Sequence, residues 1–276
     1  MAGRHKSLTD RLTGGADAEH PPPKVVFATG GSGTRALAEV MIEAGVYLGP
    51  ETNRALDSLA FKPVLKGNSE TYVRESEWIE AAERDPHSVP EPPKALVDEF
   101  RAAISHQRQG IPSEDSMWGW KNPRTTYLLP ILTKLEPGAP TAHLIRDGRD
   151  MAYSKNQIQL NDCRSLVPGD LNDAAEPIQS VALWSRVNLA AIKYLEAHSP
   201  GGHIVVRYED LCADPATHSE RLLTHLGIPV TDAVLQKARD SVKLSSSAGR
   251  WKEADPAEAE ELQRAGEPAL SQFGYV

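Results

Sequence analysis

Residues 24–45 constrain the fold of this chain most tightly. Lys24-Val25-Val26-Phe27-Ala28-Thr29 is a run dominated by apolar, β-branched and aromatic residues. Such a run predicts a strand buried on both faces, as in a parallel sheet covered by helices. Gly30-Gly31-Ser32-Gly33 follows. From Thr34 onward Leu37, Val40, Met41 and Ala44 recur at helical spacing, closed by Gly45 as a helix stop. Strand, glycine-rich turn and helix in this order also carry a chemistry. Glycines let backbone N–H groups approach a phosphate, the helix N-terminus adds the positive end of its dipole, and the hydroxyls of Ser32 and Thr34 add donors. A tight turn with no ligand uses the same glycines, so context must decide between the two readings.

The alternation continues along the chain. Thr141–Ile145 and His203–Tyr208 read as further strands, and Met117–Trp120 as a shorter one. Ile178, Val181, Ala182, Ser185, Leu189 and Ile192 mark a helix between them. Another starts at Asp214-Pro215, an N-cap followed by proline at the first helical position, and carries Leu222, Leu223 and Leu226. The expected fold is α/β, a three-layer sandwich with a central, mostly parallel sheet and a P-loop-like phosphate loop. Residues 24–276 read as one domain behind a polar, flexible lead-in over residues 1–23. Residues 84–93 and 160–173 read as long surface loops.

Charge and cysteine content narrow the function. The chain has 276 residues with 30 Lys and Arg against 38 Asp and Glu, a formal net charge of −8. That balance argues against a broad nucleic-acid-binding face, so an anion site must gather its cations locally. The two cysteines, Cys163 and Cys212, form neither a CxxC pair nor a metal-ligand spacing, and read as reduced thiols. No apolar run reaches the ~18 residues of a membrane span. Residues 1–23 lack the apolar stretch of a secretory signal, so a cytoplasmic location is expected. Nothing in the sequence speaks to oligomeric state.

Four motifs between about Val25 and Lys252 resemble, in order, those of the sulfotransferases that use 3′-phosphoadenosine-5′-phosphosulfate (PAPS). The first is the loop itself, Gly30, Gly31, Ser32, Gly33, Thr34 and Arg35, which resembles the family's 5′-phosphosulfate loop. The second is Arg146-Asp147-Gly148-Arg149-Asp150-Met151-Ala152-Tyr153-Ser154, directly after a strand. The family's Arg and Ser at this spacing hold the 3′-phosphate, which the resemblance assigns to Arg146 and Ser154. Arginine offers a rigid fork matched to phosphate oxygens, and serine a short hydroxyl donor. The third, Val206-Arg207-Tyr208-Glu209-Asp210-Leu211, implies that Tyr208 lies near the adenine. The fourth is Ser245-Ser246-Ser247-Ala248-Gly249-Arg250-Trp251-Lys252, similar to the family's Gly-x-Trp-Lys segment. It implies nucleotide contacts from Arg250, Trp251 and Lys252. Leu244, Ser245 and Ser246 stand where relatives carry Arg-Lys-Gly, so Arg250 is expected to supply the missing charge.

The resemblance implies transfer of a sulfuryl group from PAPS to a hydroxyl or amine, with no metal required. Two catalytic positions depart from the family's pattern. Gly31 stands where many relatives place a loop Lys or Arg, and Arg35, on the first helical turn, is the candidate to compensate. Gly119-Trp120-Lys121-Asn122-Pro123-Arg124 resembles the family's Lys-Thr-His segment. Lys121 matches the lysine that contacts the sulfuryl group, but Pro123 takes the place of the histidine base. A carboxylate raised toward neutrality by burial could serve instead, and Glu51 and Asp57 are the candidates. His143 is a third, though a lone histidine in an apolar strand is usually structural. Two other readings remain at this level: a P-loop kinase-like enzyme, against which stands the missing Walker lysine, and a non-catalytic binder of 3′-phosphoadenosine nucleotides. The acceptor is expected to be a small molecule, lodged between segments 61–116 and 156–177.

Overall fold

The computed structural model describes residues 20–64, 77–154, 157–246 and 248–276. Four strands, β1 (Lys24–Ala28), β2 (Gly119–Lys121), β3 (Thr141–Ile145) and β4 (His203–Arg207), form one sheet in the order β2-β1-β3-β4. Every pairing among them is parallel, with Val25 beside both Trp120 and Thr141, and Ile145 beside Arg207. The helices are α1 (Thr34–Glu43), α2 (Glu77–Arg84), α3 (Lys94–Gln107), α4 (Leu129–Leu135), α5 (Gly148–Ala152) and α6 (Ile158–Cys163). After them come α7 (Glu176–His198), α8 (Tyr208–Ala213), α9 (Pro215–His225), α10 (Asp232–Ser241) and α11 (Pro256–Gln272).

The apolar run of β1 is used on both sides. Val25 and Phe27 enter a core with Trp78, Phe100, Trp120, Leu128 and Val187, which come from α2, α3, β2, the 3₁₀ turn Pro123–Leu128 and α7. Val26 and Ala28 point the other way, into a core with Leu37, Met41, Leu222 and Leu223 from α1 and α9. Successive strand residues face opposite sides, so each side of the sheet needs its own helical layer. Full burial of each large apolar side chain contributes about 1.5–3 kcal/mol.

His143 belongs to this architecture. It is fully buried in β3, stacks on Phe27 with ring centroids 4.5 Å apart, and its Nε2 lies 2.8 Å from Asn188 Oδ1 on α7. Burial, opposed only in part by that hydrogen bond, pushes its pKa down to about 4. A neutral histidine sealed in the core cannot serve as the base.

Segment 160–173 is more ordered than its polarity predicts. It contains the second half of α6 and short 3₁₀ turns at Arg164–Leu166 and Gly169–Leu171. Leu160, Cys163, Leu166 and Val167 are buried and fasten it to the first core. Residues 84–93 are a connector with one 3₁₀ turn, Pro86–Ser88. Most of the expected lead-in, residues 1–19, lies outside the described residues. Its described end is tied down, since the Trp118 indole donates to Pro21 O at 2.6 Å. No described helix is long and apolar enough to cross a membrane.

Candidate active site

Because the four strands are parallel, their carboxyl ends share one edge of the sheet, the edge at which such sheets bind ligands. The first three motifs and the Lys121 segment leave from that edge. After β1 the chain turns through Thr29–Gly33, with Gly31 at φ 89° and Gly33 at φ 81°, conformations that favour glycine. Gly33 is also the N-cap of α1, and a Cβ there would sit 2.3 Å from the Tyr208 ring. Among the described residues the N–H groups of Gly30, Gly31, Ser32 and Gly33 have no hydrogen-bond acceptor. Four unmet amides at a helix N-terminus are able to hold an anion. The Ser32 hydroxyl is turned inward, donating to Thr29 O at 2.6 Å, so it braces the loop.

The ends of β3 and β4 build the adjoining wall. Arg146 is buried and its Nη1 donates to Gly31 O at 3.2 Å. Its guanidinium stands 5.2 Å from the centre of the Tyr208 ring and 3.8 Å from Asp150 Oδ2. Ser154 reaches the same loop, since its Oγ lies 4.0 Å from where a Cβ of Gly31 would be. Tyr208 opens α8; its hydroxyl donates to Lys243 O at 2.8 Å and accepts from Ser245 N–H at 2.9 Å. Burial pushes the Tyr208 pKa up to about 12. Glu209 closes the corner: Oε1 accepts from Asp147 N–H at 3.0 Å and Oε2 from the Tyr275 hydroxyl at 2.7 Å.

The fourth motif meets the second. Gly249 N–H donates to Asp150 Oδ2 at 2.8 Å, and Arg250 Nη1 donates to Tyr153 O at 3.1 Å. Trp251 instead stacks on Arg149, 3.8 Å from its guanidinium, with the Lys252 ammonium 5.8 Å from the ring centre. Trp251 and Lys252 thus border a second hollow of about 530 Å³, which neither Arg146 nor Ser154 lines. Ser247 of this motif lies outside the described residues.

At the end of β2, Lys121 is buried and its ammonium donates to Ala55 O and to Asp57 Oδ1. Burial lowers the Lys121 pKa, the Asp57 carboxylate opposes that, and the nearby Arg35 charge adds to it. Asp57 is presented by a tight turn. Asn53 Oδ1 accepts from the N–H groups of Ala55 at 2.8 Å and Asp57 at 2.9 Å, while its Nδ2 donates to Asp57 Oδ2 at 2.9 Å. Leu56 takes φ 61° inside this turn, the single non-glycine residue with positive φ among the described residues. Such a conformation costs roughly 1–3 kcal/mol and persists only where the surroundings impose it. Here they do: Ser58 N–H donates to Lys121 O at 3.1 Å, and Thr52 bridges Ser58.

Asp57 and Thr29–Gly30 open onto a cavity of about 860 Å³. Its apolar wall includes Leu59, Tyr127, Leu160, Leu183 and Trp184; its polar wall includes Asn53, Asn122, Arg124, Gln159 and Asp162. Arg124 and Asp162 form an ion pair across 38 positions of sequence. The cavity draws on the Asn53 turn, the segment after β2, α6 and α7. Of the 61–116 stretch, only Lys62 contributes among the described residues.

Of the sequence-derived candidates, then, the structure gathers the loop, Arg146, Ser154, Tyr208 and Arg250 on one side, and Lys121 with Asp57 on the other. Glu51 is exposed and does not line the cavity. Arg35 is largely exposed, and its Nε donates to Glu39 at 3.2 Å. Asn122 and Arg124 lie in the 119–124 segment but have no role assigned by the sequence, and Asn53, Gln159 and Asp162 belong to no recognised motif. Only the Asn53 turn left a local trace, an asparagine two residues before the first amide it captures.

The family follows from a match over residues 26–232 to the model described as "Sulfotransferase family". The chain belongs to the sulfotransferase family. Similar solved structures agree in fold. Sulfotransferase STF9 from Mycobacterium avium has 13% identity and a TM-score of 0.57, covering 94% of this chain and 78% of its own. The sulfotransferase domain of the Synechococcus PCC 7002 olefin synthase has 14% identity and a TM-score of 0.53, covering 95% and 98%. The sulfotransferase domain from the curacin biosynthetic pathway has 15% identity and a TM-score of 0.51, covering 93% and 99%. No match is found among curated proteins. Membership makes sulfuryl transfer the general chemistry of this sulfotransferase and sets aside the kinase reading.

Proposed function

We propose that this sulfotransferase moves a sulfuryl group from PAPS to a hydroxyl or amine of a small-molecule acceptor held in the 860 Å³ cavity. The observation that carries the reading is the pairing of two anion seats. Unmet loop amides lie at the end of β1, and the buried Arg146 guanidinium touches that loop from the end of β3. A nucleotide with phosphates at both its 5′ and 3′ positions needs two such seats.

PAPS, when bound, supplies an activated sulfuryl group: the acceptor atom bonds to sulfur while the bond from sulfur to the 5′-phosphate oxygen breaks, and that oxygen keeps the electron pair. The loop amides and the α1 dipole hold the 5′ end and stabilise the charge it gains. Arg146 and Ser154 hold the 3′-phosphate, with Arg250 adding charge at its rim. Tyr208 supports the loop from beneath, since its ring fills the space under Gly33. Lys121 has three ammonium protons, of which Ala55 O and Asp57 take two, leaving one for a sulfuryl oxygen. Asp57 accepts the acceptor's proton. Its oxygens have lone pairs beyond those engaged by Lys121 and Asn53, and it faces the cavity while Glu51 does not.

Binding measurements on Arg146→Ala test this directly. Loss of a charge-assisted contact predicts adenosine 3′,5′-bisphosphate bound roughly 10- to 100-fold more weakly. Adenosine 5′-monophosphate, which lacks the 3′-phosphate, should lose less than about twofold. Equal losses for the two nucleotides would remove Arg146 from the 3′ seat. Incubating the wild-type protein with PAPS and a panel of phenols, alcohols and amines should release the bisphosphate with a sulfated product.

A further inference from the structure

We infer that Gln159 is a direct ligand of the transferring sulfuryl group, donating its side-chain amide to a sulfuryl oxygen. The inference rests on the PAPS reading above and deepens it. A Cβ added to Gly30 would lie 3.4 Å from Gln159 Cδ and 3.6 Å from its Nε2, so the amide covers the loop at that residue. Gln159 and Gly30 line the same large cavity, next to Thr29. Among the described residues the Gln159 amide has no hydrogen-bond partner, although it is partly buried. An amide kept free at the junction of loop and cavity is free to bind what lies there.

None of the nearby cations is placed over Gly30. Arg146 spans Gly31 O and Asp150, Lys121 is held by Asp57 and Ala55 O, and Arg35 pairs with Glu39. Gly31 itself offers no side chain. Gln159 is therefore the side-chain donor that lies over the loop at Gly30. Its place is fixed by its neighbours. Gln157 Nε2 donates to Ala152 O at 3.0 Å and Ser154 O at 2.9 Å, and its Oε1 accepts from Ser180 at 3.1 Å. Leu160, on the other side, is buried in the first core. The segment bearing Gln159 is thus fastened to the end of the Arg146–Ser154 motif.

The test compares affinities for PAPS and for adenosine 3′,5′-bisphosphate, which differ by the sulfuryl group alone, measured by calorimetry on ice without acceptor. Gln159→Ala should weaken PAPS roughly tenfold, the worth of one hydrogen bond to a charged group, and leave the bisphosphate within about twofold. Gln159→Lys, which restores a donor, should bring the ratio of the two affinities back to within about threefold of wild type. Thermal unfolding should be unchanged in both variants. An unchanged ratio in Gln159→Ala, or parallel losses for both nucleotides, overturns the inference. Wild-type protein that binds neither nucleotide would sink the donor assignment itself, and this inference with it.

Discussion

The two halves of the candidate site are built by different means. The proposed nucleotide half hangs on strand-to-helix turns: β1 into α1, β3 into α5 and β4 into α8. Its donors are backbone amides and a buried arginine, and its geometry is fixed by the parallel sheet. The cavity half rests on irregular segments: the strained turn at 53–57, the 3₁₀ stretch after Asn122 and the short helix α6. Long-range hydrogen bonds hold these together, Ser58 to Lys121 and Arg124 to Asp162 among them. Regular structure imposes the first half on any sequence with the right glycines, whereas the second depends on particular side chains meeting across the chain. Loop-built sites are where specificity varies between relatives that share a fold.

The sharpest way to separate the halves is Asp57→Asn. Loss of the proposed general base predicts turnover lower by roughly 10²–10⁴-fold, with the affinity for adenosine 3′,5′-bisphosphate within about twofold. A matching loss of nucleotide affinity would merge the halves. Gly33→Ala strikes the nucleotide half alone. Positive φ and overlap with the Tyr208 ring should cost roughly 2–4 kcal/mol in denaturant unfolding. Gly169, with nothing within 4 Å of an added Cβ, should accept alanine with little change.

His143 tests the scaffold that both halves share. Its folded pKa of about 4 lies below its ordinary value of 6.5, so the unfolded chain binds the extra proton between those values. Stability is then complete above pH 6.5 and is lost as pH falls toward 4. The histidine should account for roughly 2–3 kcal/mol of the loss between pH 7.5 and 4.5. In His143→Gln the fall in unfolding free energy over that range should be shallower by this amount. The smallest effect is expected from Glu51→Gln, with turnover within about twofold because the side chain is exposed and outside the cavity. A large loss there would move the base to Glu51.

The difference between the halves also decides what the sequence reveals. The strands of residues 24–29, 141–145 and 203–208 and the glycine turn are local patterns, and the structure bounds them to within a residue. The loop reading of 160–173 failed because polar residues alternate with the buried Leu160, Cys163 and Leu166, whose common face exists only once the first core forms. Likewise Asn53, Gln159 and the Arg124–Asp162 pair owe their place to contacts 4 to 129 residues away. Between Glu51 and Asp57 the sequence offers no choice, because only the turn around Leu56 aims one of them at Lys121.

The measurement that bears most directly on the account is a crystal structure with adenosine 3′,5′-bisphosphate bound. It should show the 5′-phosphate on the amides of Gly30–Gly33 and the 3′-phosphate against Arg146 and Ser154. The bisphosphate seated in the second hollow, lined by Arg149 and Trp251, with the Gly30–Gly33 amides untouched, would contradict it.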